Sequence, residues 1–115
     1  MDQFYAVFSE AQQFLILQGY ADQILSEEEM MTFLMQEASD KKVAFLTEKG
    51  LYLVVPALSL DDFTHDFYPQ SQLQATLHEN QIDIEVSGDS IILPFAHKED
   101  ADSAYEDLLY LWREK

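Results

Sequence analysis

The sequence predicts an α+β fold: two β-hairpins forming a mostly antiparallel four-stranded sheet, packed with N-terminal and C-terminal helices. Three observations lead there. Apolar residues recur at helical spacing near both ends of the chain. Two short apolar runs, 43–47 and 51–55, flank a turn that contains Gly50. Residues 82–86 alternate strictly between apolar and acidic ahead of Ser87, Gly88 and Asp89. At 115 residues the chain fits a single acidic globular domain, 1–115.

Taken in order, Phe4, Val7, Phe8, Ala11, Phe14, Leu15 and Leu17 or Gln18 follow the spacing of a helix from Asp2 to about Gly19, where glycine suits a C-terminal stop. Ser26 and Glu29 have the spacing of a capping box, and Glu27, Glu28 and Glu29 complement the dipole of the helix they open. That helix is expected to run to about Ala38 and to bury Met31, Leu34 and Met35, with Met30 and Phe33 beside them. Asp40, Lys41 and Lys42 form a polar break. The strands 43–47 and 51–55, joined by Glu48, Lys49 and Gly50, are apolar on both faces. They should therefore lie centrally and be covered on both sides.

Pro56 ends this hairpin. Ser59 would cap a short helix through Leu60 to Phe63, with Pro69 closing the stretch. Residues 71–80 admit two readings: a short helix with Leu73 and Leu77 at i, i+4, or an extended segment in which Leu73, Ala75 and Leu77 alternate. In the second hairpin Ile82, Ile84 and Val86 face inward, and Asp83 and Glu85 outward. The returning strand, 90–95, contains Pro94, which lacks an N–H and belongs at a sheet edge. A last helix from about Glu99 to Trp112 presents Ala101, Ala104, Tyr105, Leu108 and Leu111 or Trp112 to the core.

Twenty-two Asp and Glu against six Lys and Arg give a formal charge of −16, on a chain that is 48% hydrophobic and 13% aromatic. That much apolar content separates it from disordered acidic tails. Direct binding to DNA, RNA or an anionic membrane is not expected, because phosphate binding draws on clustered Lys and Arg. The apolar runs are far shorter than the ~20 residues of a membrane span. The N-terminus has no secretory pattern and there are no cysteines, so a soluble, cytoplasmic protein is expected.

Patterns for chemistry are thin. Three glycines make no phosphate-binding loop. His78-Glu79 starts like a zinc-protease motif, but Ile82 stands at the second histidine's place. Asp83, Glu85, Ser87 and Gly88 imitate the start of a calcium loop, but Pro94 occupies the position of its final Glu. Asp61, Asp62, His65 and Asp66 are the one cluster with metal-ligand chemistry, but they read better as a helix start with a solvent-facing histidine, in a chain where so many acids cluster by chance. No enzyme activity, cofactor or metal is expected. Among the aromatics, Tyr68 and Tyr110 are the ones expected at the surface, where Tyr serves as an interface anchor.

The arrangement of the acids is more telling. Glu99, Asp102 and Glu106 follow i, i+3, i+7 on the last helix, with Asp100 and Asp107 beside them. Asp83 and Glu85 point the same way from the second hairpin. Together these seven residues predict a partner-binding face, a continuous acidic ridge from Asp83 to Asp107, with Glu27, Glu28 and Glu29 as a second candidate. A row of carboxylates resembles the row of phosphates along DNA. The bland alternative is a solvated face, but −16 exceeds the magnitude of roughly 2–8 that suits a small soluble domain.

In size, acidity and α+β order the chain resembles phage-type DNA mimics, anti-restriction and anti-CRISPR inhibitors and nuclease immunity proteins, which share a charge strategy and no motif. It is also similar in size and charge to the small acidic chaperones of type III secretion, although the helix at Ser26 departs from their element order. Those resemblances imply an acidic inhibitor that occupies the basic surface of a nuclease or other DNA- or RNA-binding protein. The alternative is a chaperone or adaptor that holds a protein segment in an apolar groove, with Met30, Met31 and Met35 as adaptable contacts. An uncovered apolar helix face would also serve a homodimer.

Overall fold

The computed structural model describes residues 3–38 and 41–112, so Asp2 and Asp40, named above, lie outside them. Helix α1 (Gln3–Val7) and helix α2 (Glu10–Ile24) replace the single expected N-terminal helix. Ser9 interrupts: its side chain accepts from the Gln12 amide, the Gln12 side chain accepts from the Ser9 amide, and this capping box starts α2 afresh. Gly19 lies inside α2, whose buried residues are Leu17, Tyr20 and Ala21.

Helix α3 (Glu27–Thr32) opens with the expected Ser26–Glu29 box but stops after six residues. Leu34 and Met35, expected on that helix, instead lie in strand β1 (Leu34–Glu37), which pairs antiparallel with β2 (Val43–Thr47) in the register Leu34↔Leu46 and Met35↔Phe45. Strand pairing against a fully apolar neighbour here overrides the local helical spacing.

Strand β3 (Gly50–Val55) returns through a two-residue turn, and β4 (Thr64–Pro69) follows a single 3-10 turn, Leu60–Asp62. Where a helix closed by Pro69 was expected, the chain forms an edge strand. Strands β5 (Leu73–His78), β6 (Gln81–Val86) and β7 (Asp89–Pro94) make a second meander, which settles residues 71–80 as extended. Helix α4 (Lys98–Leu111) closes the described chain.

The strands form two antiparallel sheets, ordered β1-β2-β3-β4 and β5-β6-β7. This corrects the expected single sheet: the two hairpins seen in the sequence, β2–β3 and β6–β7, belong to different sheets. The first sheet is covered on both faces, as its apolar strands require. On one side Val43, Phe45 and Val54 pack with Phe4, Leu17, Tyr20, Ala21 and Phe63 from α1, α2 and the loop before β4. On the other, Ala44, Leu46, Leu51 and Leu53 pack with Ile82, Ile84, Ile91 and Leu93 of the second sheet and with Leu108 of α4. Pro94 lies on an edge strand, where its missing N–H costs no ladder bond.

Candidate functional site

Helix α4 is built for one inward and one outward side. Ala101 and Leu108 are buried, and Ala104, Tyr105, Leu111 and Trp112 pack half-buried around them. Helical geometry then puts Glu99, Ser103, Glu106 and Tyr110 along the opposite ridge, Asp100 and Asp107 on one flank, and Asp102 and Leu109 on the other. Glu99, Asp100, Glu106 and Asp107 are exposed, and Tyr110 stands out at 72% exposure. Among the described residues one ion pair forms on this helix, Lys98 Nζ to Asp102 Oδ2 at 3.1 Å. Among the described residues no basic one stands in its last turn, where Glu106 and Asp107 approach the negative end of the helix dipole.

Asp83 and Glu85 do not join this face. On β6 the core side belongs to Ile82, Ile84 and Val86, the side against which α4 packs. The two acids, one residue out of phase, leave from the opposite face of the sheet. The expected ridge from Asp83 to Asp107 is therefore two separate patches with a sheet between them. Asp83 is moreover occupied locally, accepting from Gln81 Nε2 at 2.8 Å and lying 3.6 Å from His78 Nε2. Glu85 is exposed.

The second candidate patch loses its third member. Glu29 is only 2% exposed. Its carboxylate accepts from the Ser26 amide (3.1 Å) and hydroxyl (3.0 Å), from Thr47 Oγ1 (3.2 Å) and from the Tyr52 hydroxyl (2.8 Å), with Lys49 Nζ at 3.8 Å. Burial pushes this carboxyl up, but the hydrogen bonds from Ser26, Tyr52 and Thr47 together outweigh it and hold Glu29 below its ordinary range. Tyr52, by burial first and by the Glu29 carboxylate second, is pushed up to about 12. Glu29 thus fastens α3 to β2 and β3.

The Asp61, Asp62, His65 and Asp66 cluster does not assemble: His65 Nδ1 meets the Tyr20 hydroxyl at 2.8 Å, and among the described residues no three acids or histidines gather as a ligand set. No helix among the described residues is long and apolar enough to cross a membrane.

A third surface is apolar. Val7, Phe14 and Leu15 are exposed, Leu15 by 69%. Phe14 borders an open groove of about 290 Å³ between α2 and β1, lined also by Leu17, Met35 and Val43 and flanked by Glu10 and Glu37. Of the three methionines named for a groove, Met35 lines this one, Met30 packs half-buried against the core, and Met31 is exposed. The sequence held the signal: Leu17, Tyr20, Ala21 and Ile24 follow i, i+3, i+4, i+7 across Gly19. Tyr68, expected at the surface, is half-buried against the inter-sheet core.

Compared with known proteins, the chain matches no family model, and no curated protein or solved structure is significantly similar to it.

Proposed function

We propose that this chain is an acidic protein-binding domain that docks a basic partner surface on the outer face of α4. The carrying observation is that face itself: Glu99, Asp100, Glu106 and Asp107 are exposed, uncompensated by cations among the described residues, and ranged beside exposed Tyr110 and Leu109. Asp102 stands i+3 from Glu99 and i+4 before Glu106, and like charges at that spacing weaken an isolated helix by a few tenths of a kcal/mol per pair, a cost that binding to a cationic surface would offset. Complementary charge would steer association and make it fall steeply with salt. A nucleic-acid-binding protein, a nuclease among them, is the proposed partner class, and inhibition by occupying its phosphate-binding surface is the proposed effect. Asp83 and Glu85 can contribute only to a partner that reaches the far face of the second sheet.

The test is capture of partners at about 50 mM salt, followed by competition with duplex DNA. A captured nucleic-acid-binding protein that duplex DNA displaces, and that a Glu99→Gln, Asp100→Asn, Glu106→Gln, Asp107→Asn variant no longer holds, supports this reading. A partner indifferent to both salt and these substitutions defeats it. The groove between α2 and β1, with Phe14 and Leu15 exposed beside it, favours a second reading as a chaperone or adaptor. That reading predicts binding that survives high salt and is lost on Phe14→Ser.

A further inference from the structure

We infer that the free edge of β4 accepts an extended segment of a partner protein in which apolar and basic residues alternate. In the β2–β3 hairpin the two-residue turn makes Thr47 and Gly50 the closing pair, so the backbone groups of Gly50 point toward β2 and those of Leu51 toward β4. The bond from the Gln70 amide to the Lys49 carbonyl agrees, because it flanks Pro69↔Gly50 as a pair without mutual hydrogen bonds. Alternation along β4 then directs Thr64, Asp66 and Tyr68 inward to β3. The N–H and C=O groups of His65 and Phe67, and the C=O of Pro69, face away from the sheet. No hydrogen bond reaches these outward groups among the described residues.

Other edges are treated differently. Beside β1, Gln36 Nε2 donates to Pro94 O of β7, and on β5 the Ala75 carbonyl accepts from the Tyr105 hydroxyl. Residues 64–67 are all exposed. Such an edge is a template for another strand.

Side chains define what that strand carries. Along one face it would meet His65 and the exposed ring of Phe67, which packs tilted against Tyr52 with ring centroids 4.7 Å apart. Along the other it would meet Asp66, with exposed Asp61 and Asp62 just before the strand. An incoming segment with apolar residues on the first face and Lys or Arg on the second satisfies both. A second copy of this chain does not, because each copy carries −16.

A peptide of about eight residues alternating Lys and Val is the probe, added to the whole protein and read by amide hydrogen exchange. The expected result is slowed exchange at His65 and Phe67, with Asp66 and Tyr68 protected already in the free protein. A Glu–Val peptide should give no such protection. Phe67→Pro, which removes an outward N–H and leaves the ladder to β3 intact, should bind about tenfold more weakly than Phe67→Ala. Should the proline variant fail to fold, a Lys–Val peptide N-methylated along its pairing edge takes its place and should lose binding to the wild type.

Equal binding by the two Phe67 variants, or by the methylated peptide, overturns the proposal in favour of diffuse charge attraction. Protection of the same amides that grows with protein concentration alone assigns the edge to a second copy, and overturns it too. Because α4 takes no part, peptide-induced protection at His65 and Phe67 in the four-substitution α4 variant separates the fate of this inference from that of the function proposed above.

Discussion

Helices α3 and α4 both carry acidic residues in their first turn, and the fold uses them in opposite ways. In α3 the third acid turns inward, and Glu29 becomes a buried acceptor for Ser26, Thr47 and Tyr52. In α4 the acids stay at the surface. The difference lies in what each helix packs against. The β2–β3 hairpin offers Glu29 two hydroxyl donors and a lysine, whereas among the described residues no donor from either sheet reaches the carboxylates of α4. A carboxylate is therefore structural where donors converge on it and available for partners where none do.

Replacing Glu29 tests this contrast most severely. Glu29→Ala leaves the Tyr52 hydroxyl without its acceptor and the Thr47 hydroxyl with only the Gly50 carbonyl at 3.4 Å, and should cost about 3 kcal/mol. By differential scanning calorimetry the melting temperature should fall by roughly 10 °C. A loss near zero would mean that the network contributes nothing.

Acidity probes the same group. Its folded pKa is lowered from the ordinary 4.5, so its stabilisation is present above that value and lost as pH falls through the lower folded one. Denaturant titrations below about pH 4.5 should show wild type losing its advantage over Glu29→Gln. At the alkaline end Tyr52 acts with the opposite sign. Its pKa is raised from 10.0 to about 12, so its contribution is present below 10 and lost as pH rises toward 12, and Tyr52→Phe should reduce the alkaline slope to the part that buried Tyr20, also raised, supplies.

Ser26→Ala removes the cap of α3 and should cost about 1 kcal/mol by urea unfolding. The smallest effect is expected on α4. Glu106→Gln with Asp107→Asn should stabilise the fold by a few tenths of a kcal/mol, because both carboxylates oppose the dipole. Glu99→Gln with Asp100→Asn, at the favourable end of the dipole, should not stabilise. Destabilisation by the Glu106 and Asp107 pair would show that these acids make contacts the fold depends on, and would erase the contrast between the helices.

The sequence disclosed these regions unevenly. The Ser26–Glu29 box was legible as a cap, because its spacing is local, but nothing in spacing reveals that Thr47 and Tyr52 wait above Glu29. The inward stripe of α4 was equally plain. Strand β1 was hidden, since Leu34 and Met35 also fit helical spacing and only the open edge of β2 decides between the two. The separation of Asp83 and Glu85 from α4 was hidden for a related reason. Alternation fixes which residues share a face of a strand, not which face the next helix crosses. Strand β4 escaped notice because His65, Asp66 and Pro69 are poor strand residues, tolerated at a sheet edge and not within a sheet.

The end of α4 is tied down by an indole: Trp112 Nε1 donates to the Thr47 carbonyl at 2.7 Å, and its own carbonyl accepts from Gln70 Nε2 at 3.2 Å. It is the single tryptophan of the chain. Its fluorescence therefore reports the seating of the last helical turn on the β2–β3 turn, and an emission shift toward the red that precedes loss of the sheet signal marks that turn lifting away first.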